Sequence, residues 1–423
     1  MGSIYDWVAF ALIASLAISS VFFLWPRGWP VWLQRLIFWA VVVRIFGCVV
    51  RLEVALRFYG TGDAIYYYNA GWRHAQEYRD LDFSAVTEQA RWWGTPFIEM
   101  LSGFVLSVIG PSIRGESLIF SMLPLVGLVL IGFAFSRDVG GTNFRRYLTL
   151  LLLWPSLWFW PSSVGKESIV LLALGLVTYG YSGRRGRTGW LMVAGGLALV
   201  MGIRPHIAMM VGVALGVADW LAPFQRWSPQ RVIRGIALAI AALLTVSASL
   251  RQLGLEGADV DGIREFIDLR AGLTGRGGSQ IDGTTGLLAI PQSFVNVLLR
   301  PFPWEATNPF VLFSAAEVVF LWVLLARRRR TVFASLSNWR ESQLLLFVLP
   351  LTVVLILFYG AFVSNLGILA RQRVVILPFL FFALERAPTV LKVRRLQGRP
   401  RLERPVVDAR PDIPIGRPNL AKH

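Results

Sequence analysis

Charge, acidic residues and cysteine are all scarce in this chain of 423 residues. Only 16% of the residues are charged, where a soluble domain carries about a quarter. That excludes an ordinary water-soluble globule. The 25 acidic residues are outnumbered by 42 Lys and Arg, for a net charge of +17. The single cysteine, Cys48, lies inside an apolar run, which excludes an intrachain disulfide. No stretch alternates regularly between apolar and polar residues, so a transmembrane β-barrel is not expected. No Lys or Arg occurs in residues 1–6, ahead of the first apolar run at 7–25. That run therefore lacks the basic flank of a signal peptide and reads as a retained helix. Nucleotide-cradling glycine motifs and zinc-protease motifs are missing as well.

What is abundant is apolar sequence. Hydrophobic residues make up 55% of the chain, with 17 Trp among them, and the mean hydropathy is +0.57. Apolar runs fall at about 7–25, 33–56, 117–136, 147–162, 168–183, 189–204, 206–222, 232–249, 309–326, 343–362 and 373–386. Most approach the roughly 20 residues that a helix needs to cross a hydrocarbon core about 30 Å thick. The expected fold class is all-α: a polytopic membrane protein of about 11 transmembrane helices, with interfacial helices on the extracytoplasmic side. Residues 1–386 form the membrane domain, with long outer loops at 57–116 and 250–308. Residues 387–423 form a basic tail, expected to be disordered and cytoplasmic.

One shorter run, 96–110, decides the topology. If it does not span, the basic segments alternate to one side: Arg27 and Arg35; Arg137, Arg145 and Arg146; Arg184, Arg185 and Arg187; Arg226, Arg231 and Arg234; the four arginines at 327–330; and Lys392, Arg394 and Arg395. The positive-inside rule makes that side cytoplasmic. The N-terminus is then extracytoplasmic and the C-terminus cytoplasmic, in a multi-pass protein of the inner or plasma membrane. The run 96–110 is accordingly expected to be re-entrant or interfacial. The arginines at helix ends are explained by topology and by anionic lipids of the cytoplasmic face; nucleic acid is not an expected partner.

Four constellations lie on the opposite side. Asp63 opens the segment Gly62-Asp63-Ala64-Ile65-Tyr66-Tyr67-Tyr68, after a helix that carries Arg44 and Arg51. It can serve chemistry or act as a helix N-cap, and the two are compatible. Lys166 and Glu167 are squeezed between two apolar runs behind Pro161-Ser162-Ser163; charges so placed sit at the membrane edge or in a polar cavity. A helix-terminal acid such as Glu167 is also ordinary helix punctuation. Arg204, in Arg204-Pro205-His206, suits a phosphate by its planar fork but could equally snorkel. Arg371 and Arg373, in Arg371-Gln372-Arg373, break the charge bias and so call for another explanation. The glycine-rich stretch around Gly275 and Arg276 in the loop 250–308 reads either as a mobile lid or as a plain connection. No His, Cys or carboxylate group has metal-site spacing.

The order of these features resembles the GT-C superfamily of membrane glycosyltransferases, in the branch with the protein mannosyltransferases and the aminoarabinose transferase. Gly62-Asp63-Ala64-Ile65-Tyr66-Tyr67 is similar to that family's first acidic loop. Thr95-Pro96-Phe97 through Gly110 to Arg114 is similar to its Pro-rich stretch. Trp154-Pro155 through Ser162-Ser163 to Glu167 resembles its second acidic segment, and Arg371-Gln372-Arg373 to Pro378 its final basic segment. Ala64 stands where the family has a second acid, and its Tyr after the last Arg is missing. The resemblance implies transfer of a sugar from a polyprenyl-phosphate donor to a hydroxyl of a lipid-linked, glycan or protein acceptor at the outer face. It implies Asp63 and Glu167 as catalytic residues. Tyr66, Tyr67, Lys166, Arg204, His206, Arg371 and Arg373 would bind substrate, and a divalent metal is left open. Alternatives are a polysaccharide polymerase or ligase of the O-antigen type, using arginines in the loop 250–308; a lipid or solute transporter, for which Arg44 is the mid-helix candidate; and an inactive scaffold. A reporter enzyme fused just after Arg145 is expected to read cytoplasmic. An extracytoplasmic readout would move every later basic loop outside and overturn the topology.

Overall fold

The computed structural model describes residues 3–59, 62–87, 92–139, 143–183, 186–221, 289–306, 309–363 and 365–386. The run 232–249, most of the loop 250–308 with Gly275 and Arg276, and the tail 387–423 lie outside the described residues. Those described are helical, and no β-strand occurs among them. In chain order the helices are α1 (Ile4–Phe23), α2 (Val31–Val54), α3 (Asp63–Arg79), α4 (Ser84–Thr87), α5 (Thr95–Ile109), α6 (Ile113–Val139), α7 (Phe144–Leu153), α8 (Pro155–Phe159), α9 (Lys166–Ser182), α10 (Arg187–Ile203), α11 (Pro205–Trp220), α12 (Ala289–Leu299), α13 (Pro309–Ser337), α14 (Gln343–Phe362), α15 (Leu366–Gln372) and α16 (Leu377–Glu385).

Three of these, α1, α6 and α14, are long and apolar enough to cross a membrane. A fourth span results if α15 and α16, bent by 57° at their junction, count as one. The eleven spans expected from hydropathy are not reached among the described residues, for identifiable reasons. Pro155 breaks the run 147–162 into α7 and α8, because proline has no amide hydrogen to continue the helix. Helices α5, α10, α11 and α12 are apolar but short.

The bundle centres on α6 and α9, which pack closely together along with α10. Glycines make the α6–α9 crossing tight. A Cβ on Gly127 would run into the backbone of Leu171, and one on Gly175 into the backbone of Gly127. Small residues at a helix crossing let backbones approach where lipid supplies no hydrophobic drive. Helix α1 packs on α6 but leaves Val8, Leu12, Leu16 and Phe23 exposed, a surface suited to acyl chains. It is tethered by Asp6, whose carboxylate accepts from Ser112 Oγ at 2.9 Å and Arg114 N at 3.0 Å and pairs with the Arg114 guanidinium.

Helix α5 covers the run 96–110. Its 15 residues rise only about 22 Å, short of a hydrocarbon core, and it lies against α3. Ser102 Oγ donates to the Tyr67 carbonyl at 3.1 Å. Arg79 reaches the last turn of α5, donating to Ser107 O at 3.0 Å and Leu106 O at 3.1 Å. Leu106 O also accepts from Gly110 N at 2.9 Å, whereas Ser107 O has no amide four residues on, since Pro111 stands there; the arginine acts as a cap from outside.

Polar contacts gather at the two ends of α9. Glu167 stands at its first turn; at its last, Arg137 donates to Ser182 Oγ at 3.1 Å and Tyr179 O at 3.3 Å. Nearby, Arg386 pairs with Asp138 at 2.9 Å. Gly127→Val is expected to lower the thermal midpoint of the detergent-solubilised protein, through an overpacking cost of about 1–3 kcal/mol. Gly212→Val, where nothing lies within 4 Å of the added carbon, should leave the midpoint nearly unchanged.

Candidate functional site

The site forms where the ends of five helices meet, and local sequence sets each end. The turn before α9 is held by serines: Ser162 Oγ donates to Phe159 O at 2.6 Å, and Ser168 Oγ to Pro161 O at 3.0 Å and Ser163 O at 3.1 Å. Glu167 thus falls in the first turn of α9, where the helix dipole favours a carboxylate. Arg204 ends α10 and caps α11, whose first residue is Pro205, the position that tolerates proline. Asn365 caps α15 by accepting from Gly367 N at 2.8 Å and Ile368 N at 3.2 Å. Asp63 begins α3.

These ends bring Asp63, Glu167, Arg204 and Arg371 into one ion network. Arg371 lies between the carboxylates: Nη1 donates to Asp63 Oδ2 at 2.6 Å and Nη2 to Glu167 Oε2 at 2.8 Å. The other oxygen of Glu167, Oε1, accepts from Arg204 Nη2 at 2.7 Å and Gln372 Nε2 at 3.3 Å. Arg204 Nη1 also donates to Gln372 Oε1 and, at 3.2 Å, to the Tyr359 hydroxyl. The Glu167 side chain is 1% exposed, whereas that of Asp63 is 51% exposed. The difference decides which acid a soluble reactant can touch.

A second strand of contacts runs beside the first. Lys166 Nζ donates to Thr95 Oγ1 at 2.9 Å, and Thr95 also hydrogen-bonds the Tyr67 side chain. Burial, with the Asp63 and Glu167 carboxylates next, pushes the Tyr67 phenol above its ordinary range, so it stays a neutral hydrogen-bonding group. Arg51, at the end of α2, interacts electrostatically with Arg371, Glu167 and Asp63. Its guanidinium lies 5.9 Å from the Trp160 ring centroid and makes no ion pair with a described residue. Four cations, Arg51, Lys166, Arg204 and Arg371, therefore surround two carboxylates. The surplus positive charge favours an anionic ligand.

Three residues expected at the site lie elsewhere in their contacts. Arg373 is buried and turned to α12, donating to Val297 O at 2.7 Å and to Arg300 O; it caps that helix. His206 stacks on Phe358 with centroids 5.0 Å apart. Tyr66 is exposed and hydrogen-bonds Glu99 of α5 rather than the network. Conversely, Gln372, Tyr359, Thr95 and Arg51 join the site without having been singled out for it. The only signal for Tyr359 was a polar ring near the end of an apolar run. Arg44, fully buried in α2, donates to Ser121 O and Leu157 O at 3.2 Å each.

No group of three or more His, Cys, Asp or Glu among the described residues could hold a metal. Both site carboxylates are already bonded to guanidinium groups, so the residues present do not fit a resident divalent ion. No protein-family model, curated protein or solved structure matches the chain.

Removing Glu167 leaves two arginines without their shared counter-charge. Breaking a buried pair costs about 3–5 kcal/mol, so Glu167→Ala is expected to cut thermal stability in detergent sharply. In a double-mutant cycle with Arg371→Gln the two losses should be strongly non-additive; additive losses would mean the pair does not act as a unit.

Proposed function

We propose that the protein is a glycosyltransferase that moves a sugar from a polyprenyl-phosphate donor to an acceptor hydroxyl. The reading places the eleven-span topology in the inner or plasma membrane, with the site on the extracytoplasmic side. The observation that carries it is the pairing of a half-exposed carboxylate, Asp63, with a buried one, Glu167, through the single guanidinium of Arg371. This supports the resemblance to the GT-C superfamily, whose reaction needs an acid-derived base beside cations for a phosphate.

The chemistry assigns the two acids different tasks. Asp63 Oδ1 has no hydrogen-bond partner among the described residues, since Arg371 takes Oδ2. That oxygen accepts the proton of the acceptor hydroxyl. The hydroxyl oxygen forms a bond to the anomeric carbon of the sugar as the bond from that carbon to the phosphate oxygen breaks. The electron pair leaves with the polyprenyl phosphate. Arg51, whose guanidinium makes no ion pair with a described residue, and Lys166 stand nearest to the role of holding that charge, which costs least when donors are already oriented. Glu167 is too buried and too fully bonded to meet a reactant; it is a positioning residue for Arg371 and Arg204. Both lipid-anchored reactants at one membrane edge gain proximity without further contacts.

Asp63→Asn is expected to slow sugar transfer from radiolabelled polyprenyl-phosphate sugars by about 10²–10⁴-fold, with normal expression and membrane insertion. Transfer at the wild-type rate would remove Asp63 as the base. Activity that requires instead a chain of preassembled repeat units would favour the polymerase or ligase.

A further inference from the structure

At the end of the bundle opposite the ion network, a cleft of about 290 Å³ is lined by Arg145, Arg146, Thr149, Leu150, Leu324 and Glu385. We infer that this cleft binds the headgroup of an anionic phospholipid, with its glycerol end running out between Leu150 and Leu324. The inference does not depend on the sugar-transfer reading.

The cleft has two parts of different character. Its wall, between α7 and α13, is apolar at Leu150 and Leu324. Arg145 and Arg146 are the two cations among its lining residues. Arg145 is exposed, lies 5.7 Å from the Trp32 ring centroid, and makes no ion pair with a described residue. Trp beside Arg at a helix end is the arrangement favoured at a membrane–water boundary. A mainly apolar lining with two arginines among its residues matches a phosphate joined to a hydrocarbon, and a free phosphate would leave the apolar wall unused.

The floor supplies an independent pointer. The Glu385 side chain is 1% exposed. Its Oε1 lies 3.3 Å from Arg328 Nε and 3.6 Å from Arg146 Nη2, while Oε2 is buried without a hydrogen-bond partner among the described residues. A buried carboxylate oxygen left unbonded is costly, and Glu385 is among the residues that line the cleft. A hydroxyl on the headgroup would donate to it while the phosphate meets Arg145 and Arg146. Glu385 is one carboxylate against three arginines, so the net charge of the cleft still selects an anion. The volume is at the low end of the roughly 300–1,000 Å³ of small-molecule pockets. It accommodates a headgroup and not a whole lipid.

The test uses the full chain in detergent, with lipid binding followed by native mass spectrometry and by the shift in thermal midpoint. Phosphatidylglycerol is expected to bind saturably and to raise the midpoint, and phosphatidylcholine to do neither. The double variant Arg145→Gln/Arg146→Gln should bind phosphatidylglycerol about tenfold or more weakly, since two charge-assisted contacts are lost. Arg27→Gln/Arg35→Gln, two exposed arginines outside the cleft, should bind as the wild type does. Leu324→Trp, which fills the cleft without changing charge, should also weaken binding, and it keeps the test valid if the arginine variant fails to fold. Equal binding of phosphatidylcholine, equal loss in the Arg27/Arg35 variant, unchanged binding in Leu324→Trp, or full displacement by free glycerol phosphate would each overturn the assignment.

Discussion

The arrangement at the functional end depends on the carboxylate of Glu167. A charge buried to this degree persists only if its oxygens are paired and hydrogen-bonded. Both oxygens are: one by Arg371, the other by Arg204 and Gln372. Those donors come from α10 and α15, and Arg204 continues the chain of contacts to Tyr359 of α14. One side chain at the start of α9 thereby holds the ends of three other helices at fixed positions. It also fixes the direction of Arg371, whose second nitrogen can then meet Asp63 at the start of α3. The described residues 62–87 and 92–109 are joined to the bundle at this point and again where Gly94 N donates to Gly202 O at 2.7 Å.

Environment separates two chemically identical groups. Asp63 and Glu167 bond to the same guanidinium, yet one faces open space and the other is enclosed. Pairs of titratable groups whose surroundings differ in this way commonly divide into a reacting and a supporting member. The buried acid spends its hydrogen-bonding capacity on orientation, and the exposed one keeps an oxygen without a hydrogen-bond partner among the described residues. Among the described residues Arg51 completes the pattern. It is a cation brought close to the carboxylates that makes no ion pair with a described residue.

Much of this was legible in the order of residues. Asp63, Glu167, Arg204 and Arg371 each stand at the end of an apolar run, where a charge without a topological reason is conspicuous. The shortness of the run 96–110 was also readable, and α5 spans only that length. What hydropathy could not supply was direction around a helix. Arg371 and Arg373 are two positions apart, and successive helical residues diverge by about 100°, so one joins the network while the other caps α12. Gln372 lies between them and faces Glu167. Run lengths were misread for a related reason: a hydropathy profile sees apolar content across Trp154-Pro155, whereas the backbone ends a helix there.

The spacing of the two polar ends explains why the site is so completely paired. Helix α9 has 17 residues between the Glu167 end and the Tyr179–Ser182 end, a rise of about 25 Å. The bent pair of α15 and α16 carries Arg371 in the last turn of α15 and Glu385 at the end of α16, about 21 Å apart if straight, and its 57° bend only shortens the distance. A hydrocarbon core is about 30 Å thick. If these helices cross that core, at least one polar end would sit below the level of the headgroups, inside walls supplied by the protein. Ionisable groups at that depth survive by pairing with one another or by lining a cavity that admits a polar ligand. The Glu167 network takes the first course and leaves Asp63 and Arg51 for the second. At the far end Glu385 Oε2 has no hydrogen-bond partner among the described residues, which leaves it open to a donor from the cleft. The bend itself is held where Arg373 is bonded to the end of α12, so the residue that does not join the site still fixes the height at which Arg371 meets it.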